Sequence, residues 1–324
     1  MGTKIYKNLS HFVYDQLGCN FWLMTTDQNT DQNVVGAATV ILARERAGRL
    51  QIYLLKRSSK SGFMAGNYVF PGGTLDTEDR DINVFKSRCD LDLDRIAIRF
   101  GGDLTAERAL AYCVAAIRET LEEAGVFLAC SDDKFGKKLE KACRLRLAGN
   151  LPKDWFVNLV ARSNWRLTLR ALSPWAHWIT PELMKHRFDT RFFMADMPAG
   201  QYCRPDFRET VQGLWISPEE GLTGNMNGKI PLSPPTLVTL HELLKYQSLN
   251  DLHTVSSQKP WGQAIFPRLV PLAEGAVIVE PWDPLYREKE IHIAPDHLPT
   301  SILPVGKPFS RIWYDGNLWR PVRA

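Results

Sequence analysis

The residues best suited to chemistry are three glutamates in one short run, Arg118-Glu119-Thr120-Leu121-Glu122-Glu123-Ala124-Gly125-Val126. On an α-helix, at about 100° per residue, Glu119, Glu122 and Glu123 fall within an arc of roughly 100°. Carboxylates that close repel one another unless a cation sits among them. Hard oxygen donors of this kind suit Mg²⁺ or Mn²⁺. The triplet alone reads first as a solvated acidic face. Chemical weight comes from Phe70-Pro71-Gly72-Gly73 upstream: a Gly-Gly turn after an apolar strand lets backbone carbonyls and amides approach a metal ion or a phosphate closely.

These groups need elements to position them. Leu110, Val114, Ile117, Leu121 and Ala124 form an apolar stripe on the side of the helix away from the glutamates. Thr105 is the expected N-cap, and Gly125 the residue past the C-terminal end, where positive φ is needed. Arg118 precedes Glu122 by four residues and can reach it. Upstream, 25–33 reads as a polar loop, and 34–42 as a strand apolar on both faces, buried between helix layers. A turn at Ala47-Gly48 and a returning strand over 50–55 make a hairpin. The small-residue basic loop 57–66 is either ordinary surface or an anion-binding edge, with Arg57 able to fork onto phosphate. Residues 80–103 contain short structured pieces that either wall the substrate site or only pack. The stretch 130–170 reads as a further, helical insertion. Trp155, Trp165, Trp175 and Trp178 are read mostly as core, with adenine stacking the competing reading. Strands follow near 187–195 and 209–215, then helices from Ser217 and from Pro234-Pro235. The tail 247–324 is expected to form short strands packed on the core.

The spacing of these groups resembles the Nudix hydrolase family, whose box reads G-x5-E-x7-R-E-U-x-E-E-x-G-U with U aliphatic. Gly73 matches the first Gly, and Arg118 to Val126 match the second half. Asp79 stands where the box has its first Glu, and Thr120 takes an aliphatic place. Asp79 and Arg118 are separated by 38 residues rather than seven, an insertion of 31. A box split in this way is similar to the nucleoside diphosphate-linked moiety X motif 19 branch, the coenzyme A diphosphatases. Coenzyme A-cleaving members carry L-L-x-x-R-S-x-x-x-R-x-x-x-G-x-x-x-F-P-G-G. Arg57, Ser58, Gly66, Phe70, Pro71, Gly72 and Gly73 fit that motif at the right spacing, while Gly62 replaces its second Arg.

The resemblance spans about 34–246. It implies a Nudix α/β/α sandwich with a mixed β-sheet, helical insertions and an irregular C-terminal extension. The implied organisation is an N-terminal segment 1–33, a hydrolase domain 34–246 with insertions near 80–103 and 130–170, and an extension 247–324. The implied site has Arg118, Glu119, Glu122 and Glu123 as catalytic residues. Gly73, Glu119, Glu122 and Glu123 hold Mg²⁺ or Mn²⁺, and Arg57, Ser58, Gly66, Phe70, Gly72 and Gly73 bind substrate. The implied reaction is cleavage of a diphosphate, in coenzyme A or acyl-coenzyme A, giving adenosine 3′,5′-bisphosphate and (acyl-)4′-phosphopantetheine. ADP-ribose, nucleotide sugars and dinucleotides are the alternative substrates. A third reading is a Nudix-fold sensor that binds a nucleotide without cutting it, although such proteins usually lose the helix carboxylates that this chain keeps. Asp206 or Glu209 are candidates for an extra carboxylate, against the plain reading of strand-edge charge.

Composition narrows the remaining classes. A net charge of +4 over 324 residues gives no argument for nucleic acid and suits anionic small substrates. The six cysteines lack any C-x-x-C spacing, so reduced thiols are expected. The seven histidines show no ligand spacing and receive no catalytic role. No apolar run approaches the roughly 20 residues of a membrane span. No signal-peptide pattern and no S-K-L-type ending is present, so the expectation is a cytoplasmic protein with a small-molecule partner. The oligomeric state is left open.

Overall fold

The computed structural model describes residues 34–62, 64–130, 135–149, 151–257 and 259–324. The N-terminal segment 1–33, with the loop expected over 25–33, lies outside the described residues. β1 (Val35–Arg46) and β2 (Arg49–Arg57) form the expected antiparallel hairpin, turning at Ala47 and Gly48 with φ of 52° and 70°. β3 (Tyr68–Val69) pairs with β2, and β4 (Gly72–Thr74) folds back onto β1, Gly73 opposite Ala38. The short helices α1 (Ile82–Phe85) and α2 (Leu93–Ile96) are capped by the side chains of Asp81 and Asp92. α3 (Ala106–Glu119) begins at the expected Thr105 cap, whose hydroxyl accepts from the Arg108 N–H.

β5 (Ala129–Cys130), α4 (Phe135–Ala148), α5 (Trp155–Ala161) and β6 (Arg166–Leu167) make up the second insertion, helical in the main but closed by a two-stranded ribbon. β7 (Ser173–Ile179), β8 (Phe188–Asp196) and β9 (Thr210–Ile216) complete the central sheet. Its order is β3-β2-β1-β8-β7, with β4 on β1 and β9 on β2; β1 and β8 run parallel and the other pairs antiparallel. Three helices follow: α6 (Pro218–Met226), opened by a Ser217–Glu220 capping box, α7 (Pro234–Leu243) and α8 (Leu249–Ser256). The tail's short strands are regular. β10 (Arg268–Pro271), β11 (Ala276–Val279), β12 (Arg311–Tyr314) and β13 (Trp319–Val322) form one antiparallel meander.

Both faces of the central sheet are covered, which accounts for the uninterrupted apolar sequence of β1. Alternate residues Ala38, Val40 and Leu42 join Tyr53, Leu55 and Phe193 beneath α3. Ile41 and Ala43 join Leu54, Phe192 and Met194 beneath α6, α7 and the C-terminal meander. With apolar residues on both sides, hydrophobicity alone does not fix the register of β1. The glycine pair contributes to fixing it: a Cβ on Gly72 would lie 2.5 Å from the Ala38 carbonyl oxygen and 2.7 Å from Thr39 Cα. The first insertion packs rather than walls a site. Phe85, Ile96 and Phe100 are buried in the α3 core, and no residue of 80–103 lines the main cavity among the described residues.

Candidate active site

The glutamate helix is not a regular α-helix throughout. After Glu119 its last turn widens into a π-helical turn over Thr120–Ala124, ending at Gly125 with φ 73°. The hydroxyl of Thr120 donates to the Ala116 carbonyl at 2.7 Å, which gives this residue a use at the place where the family pattern has an aliphatic one. The wider turn changes the phase assumed for an ideal helix. Glu119 lies against Gly73, its Oε1 2.5 Å from where a Cβ on that glycine would sit. Glu123 Oε2 accepts from the Gly72 N–H at 2.9 Å. The acidic turn and the glycine corner, some fifty residues apart in sequence, therefore meet through backbone-to-carboxylate contact.

Arg118 joins the two halves of the split motif. Its Nε and Nη2 fork onto the Asp79 carboxylate, both at 2.9 Å, and Nη2 also donates to the Thr74 carbonyl at 2.8 Å. Nη1 reaches Glu119 at 2.9 Å and Glu122 at 3.1 Å. The expected pairing with Glu122 is one of several contacts. Burial disfavours the Arg118 charge, yet Asp79, Glu119 and Glu122 outweigh it and hold its pKa above the ordinary value. Asp79, which stands where the box has Glu, thus forks the guanidinium.

Burial raises the carboxyl pKa of Glu119 despite Arg118, and Glu123 and Glu122 add to the rise. Burial likewise raises Glu122. Glu123 is pushed up to about 8 by burial, against the pull of the Gly72 N–H and Arg57. Among the described residues no three acidic side chains converge as a ready cation cage; Arg118 Nη1 sits between Glu119 and Glu122, and Glu123 is turned to the glycine amide. The donor set nevertheless fits a divalent cation. It is all hard oxygen, and burial, which disfavours charge on these carboxyls, leaves a divalent ion something to offset.

A cavity of about 500 Å³ opens over this cluster, a size typical of small-molecule sites. Glu119, Glu122, Gly72, Gly73, Arg57 and Phe70 all reach its wall. Ser58 and Gly66 do not: the Ser58 amide donates to the Glu209 carbonyl and Gly66, at φ 75°, turns the loop into β3. Glu209 lines the cavity, whereas the Asp206 carboxylate is used within its own loop, accepting from the amides of Arg208, Glu209 and Thr210. The tryptophans divide. Trp165 and Trp175 are 1% exposed core residues. Trp178 lines the cavity, and Trp155 donates its indole N–H to Glu122 Oε1 at 2.5 Å. Two histidines have acidic partners that their spacing did not reveal, His177 on Asp189 and His253 on Asp196, each at 2.7 Å and neither in the cavity wall.

Two groups position Glu122 in a way that the sequence does not show. One is Trp155. The other is Arg146 of α4, which is 1% exposed and donates from Nη1 to the Glu122 carbonyl at 2.7 Å and from Nη2 to the Arg204 carbonyl. Both come from the second insertion, so its helices clamp the turn that carries Glu122. Among the described residues no helix is long and apolar enough to cross a membrane.

Comparison with known proteins gives a consistent picture. The family description NUDT19 Nudix domain matches residues 33–243. The acyl-coenzyme A diphosphatase NUDT19 of Gallus gallus is 28% identical over 335 aligned positions, covering 85% of this chain and 88% of that protein. The Homo sapiens protein of the same name is 29% identical over 308, covering 81% and 80%. The crystal structure of a NUDIX hydrolase from Alicyclobacillus acidocaldarius superposes with a TM-score of 0.55 at 22% identity, covering 71% of this chain and all of the other, a likeness of fold.

Proposed function

Because this chain belongs to the NUDT19 Nudix family of hydrolases, we propose that it hydrolyses the diphosphate of coenzyme A or acyl-coenzyme A. The products are adenosine 3′,5′-bisphosphate and (acyl-)4′-phosphopantetheine. The names of its relatives support the substrate. The observation that carries the chemistry is the Arg118 hub, which gathers Asp79, Glu119 and Glu122 beside the glycine corner at one end of a cavity wall. On this reading 34–246 is the catalytic domain and 247–324 an extension that adds to the cavity wall.

Glu119, Glu122 and Glu123, with the Gly73 carbonyl, are the groups assigned to hold Mg²⁺ or Mn²⁺. When bound, such an ion offsets diphosphate charge and lowers the pKa of a water molecule. The protein's own groups do the rest. Arg118 fixes the orientation of Glu119 and Glu122 and holds both beside the glycine corner. Arg57, a cation of the cavity wall, is the group assigned to meet a phosphate oxygen. Ser58 and Gly66 shape the loop that presents Arg57. Phe70, packed edge-on against Phe192 at 6.2 Å, supports the glycine corner from below. The water's proton passes to a glutamate in the wall, Glu119, Glu122 or Glu209; Glu123 does not line the cavity. The attack is on phosphorus, without a covalent intermediate on the protein.

The test is a panel of rates on acyl-coenzyme A, ADP-ribose and NADH, each with Mg²⁺ and with Mn²⁺, for the wild type and Glu122→Gln. The proposal expects the highest kcat/KM on acyl-coenzyme A and a loss of about 10³-fold or more in the variant at unchanged fold. A preference for ADP-ribose or NADH moves the substrate assignment to those diphosphates. Ligand binding without turnover favours the sensor.

A further inference from the structure

The cavity wall contains one acidic side chain that the catalytic reading does not use. Glu280 follows β11 in the C-terminal meander, beyond the residues that match the family description, and lines the cavity together with Leu269 and Ile278 of the same sheet. It is 0% exposed, and neither carboxyl oxygen has a hydrogen-bond partner among the described residues. Its backbone is conventionally satisfied: the amide donates to the Ser310 carbonyl and the carbonyl accepts from Asp283, both at 2.9 Å. The unexplained part is therefore the side chain alone.

The cations of this sheet are engaged elsewhere. Arg311 forks onto Asp283, and Arg268 is spent on the carbonyls of Tyr286, Glu288 and Lys289. Burial alone pushes the Glu280 carboxyl up to about 8, so near neutral pH the group is mostly protonated and both donates and accepts. An unsatisfied buried carboxyl is a cost to the fold, and in a cavity wall a ligand that pairs with it offsets that cost.

We infer that Glu280 is a specificity-determining group that hydrogen-bonds an amide of the neutral pantetheine arm of the substrate. This rests on the diphosphatase reading above. The choice of the arm over the nucleotide follows from charge. Arg57 and Arg118 are the cations of the wall among the described residues, and Arg118 is saturated by acids. A 3′-phosphorylated adenosine placed beside Leu269, Ile278 and Glu280 would meet no positive charge there. A chain of methylenes interrupted by amides finds apolar surface and one polar group able to pair with either side of the amide. Discrimination is strong at such a point, because a ligand that lacks the amide leaves the buried carboxyl unpaired.

The experiment measures binding of each product separately, by calorimetry, to the wild type, Glu280→Leu and Glu280→Gln. Leucine should weaken 4′-phosphopantetheine about tenfold or more relative to adenosine 3′,5′-bisphosphate, and glutamine, which still donates and accepts, should recover most of the loss. The leucine variant should also melt at or above the wild type; if it does not fold, Glu280→Met serves instead. Equal weakening of both products, weakening of the bisphosphate alone, or no change overturns the inference. A wild type that cleaves no diphosphate removes the catalytic reading and this inference with it. Wild-type cleavage with an unchanged affinity ratio in the variants removes this inference alone.

Discussion

Replacing Arg118 by lysine tests whether a bidentate fork, and not merely a positive charge, reassembles the split motif. Arg118 makes five hydrogen bonds to Asp79, Thr74, Glu119 and Glu122. Lysine has three donors radiating from one nitrogen and cannot fork a carboxylate. Asp79 is the partner that suffers most: its side chain is 1% exposed, and the remaining donor to it is the Asp76 amide at 2.8 Å. One lost charge-assisted hydrogen bond costs about 1.5–3 kcal/mol, and stripping a buried pair of its partner about 3–5 kcal/mol. The lysine variant keeps a charge but loses the fork, so a destabilisation of about 3 kcal/mol is expected. Urea denaturation of the wild type, Arg118→Lys, Asp79→Asn and the double variant reads this directly. The double variant should recover a large part of the sum of the single losses. A stability within about 0.5 kcal/mol of wild type for Arg118→Lys, or strict additivity in the cycle, would refute the reasoning.

The two glycines of the corner should separate fold from function. Gly72→Ala drives a Cβ into the Ala38 carbonyl at 2.5 Å and should lower stability by about 2 kcal/mol or more. Gly73→Ala meets the Glu119 carboxylate that Arg118 holds; it should cost less stability than Gly72→Ala while activity falls about 100-fold. Arg146→Ala strips the Glu122 and Arg204 carbonyls of a buried donor, so a loss of about 2–3 kcal/mol with a lowered kcat is expected by denaturation and steady-state kinetics. Glu280 has a pKa raised from 4.5 to about 8 in the fold. Its native state therefore binds the extra proton, so the penalty for burying it is smallest below about pH 4.5 and grows as pH rises toward and through about 8. Glu280→Gln should be stabilised over wild type by a larger margin at pH 8 than at pH 5; equal margins would contradict the assignment.

Much of this site is legible in the sequence because its parts are local. The hairpin of β1 and β2, the Thr105 and Ser217 caps and the Gly125 stop depend on residues a few positions apart, where helix and turn chemistry is decided. The two halves of the catalytic motif are readable for the same reason, each being a short run. What the sequence hides is either non-local or a departure from ideal geometry. The π-helical turn follows from how Thr120 to Ala124 pack and cannot be inferred from a 100° wheel. Arg146 and Trp155 act on Glu122 across 24 and 33 residues, and nothing in an amphipathic insertion marks one arginine or one tryptophan as reaching back. Asp79 is readable as a motif position, but its fork with Arg118 across 39 residues is visible only in the fold. Glu280 lies in a tail without a motif, and only burial without a partner distinguishes it.

The most direct test of the central claim is product analysis by mass spectrometry after incubation of the protein with acyl-coenzyme A in ¹⁸O-water, with and without Mg²⁺ or Mn²⁺. The account predicts adenosine 3′,5′-bisphosphate and acyl-4′-phosphopantetheine, with one ¹⁸O in a phosphate of one product, and neither product after chelation or in Glu122→Gln. Intact acyl-coenzyme A under all conditions, cleavage at the thioester, or unchanged turnover after chelation would contradict it.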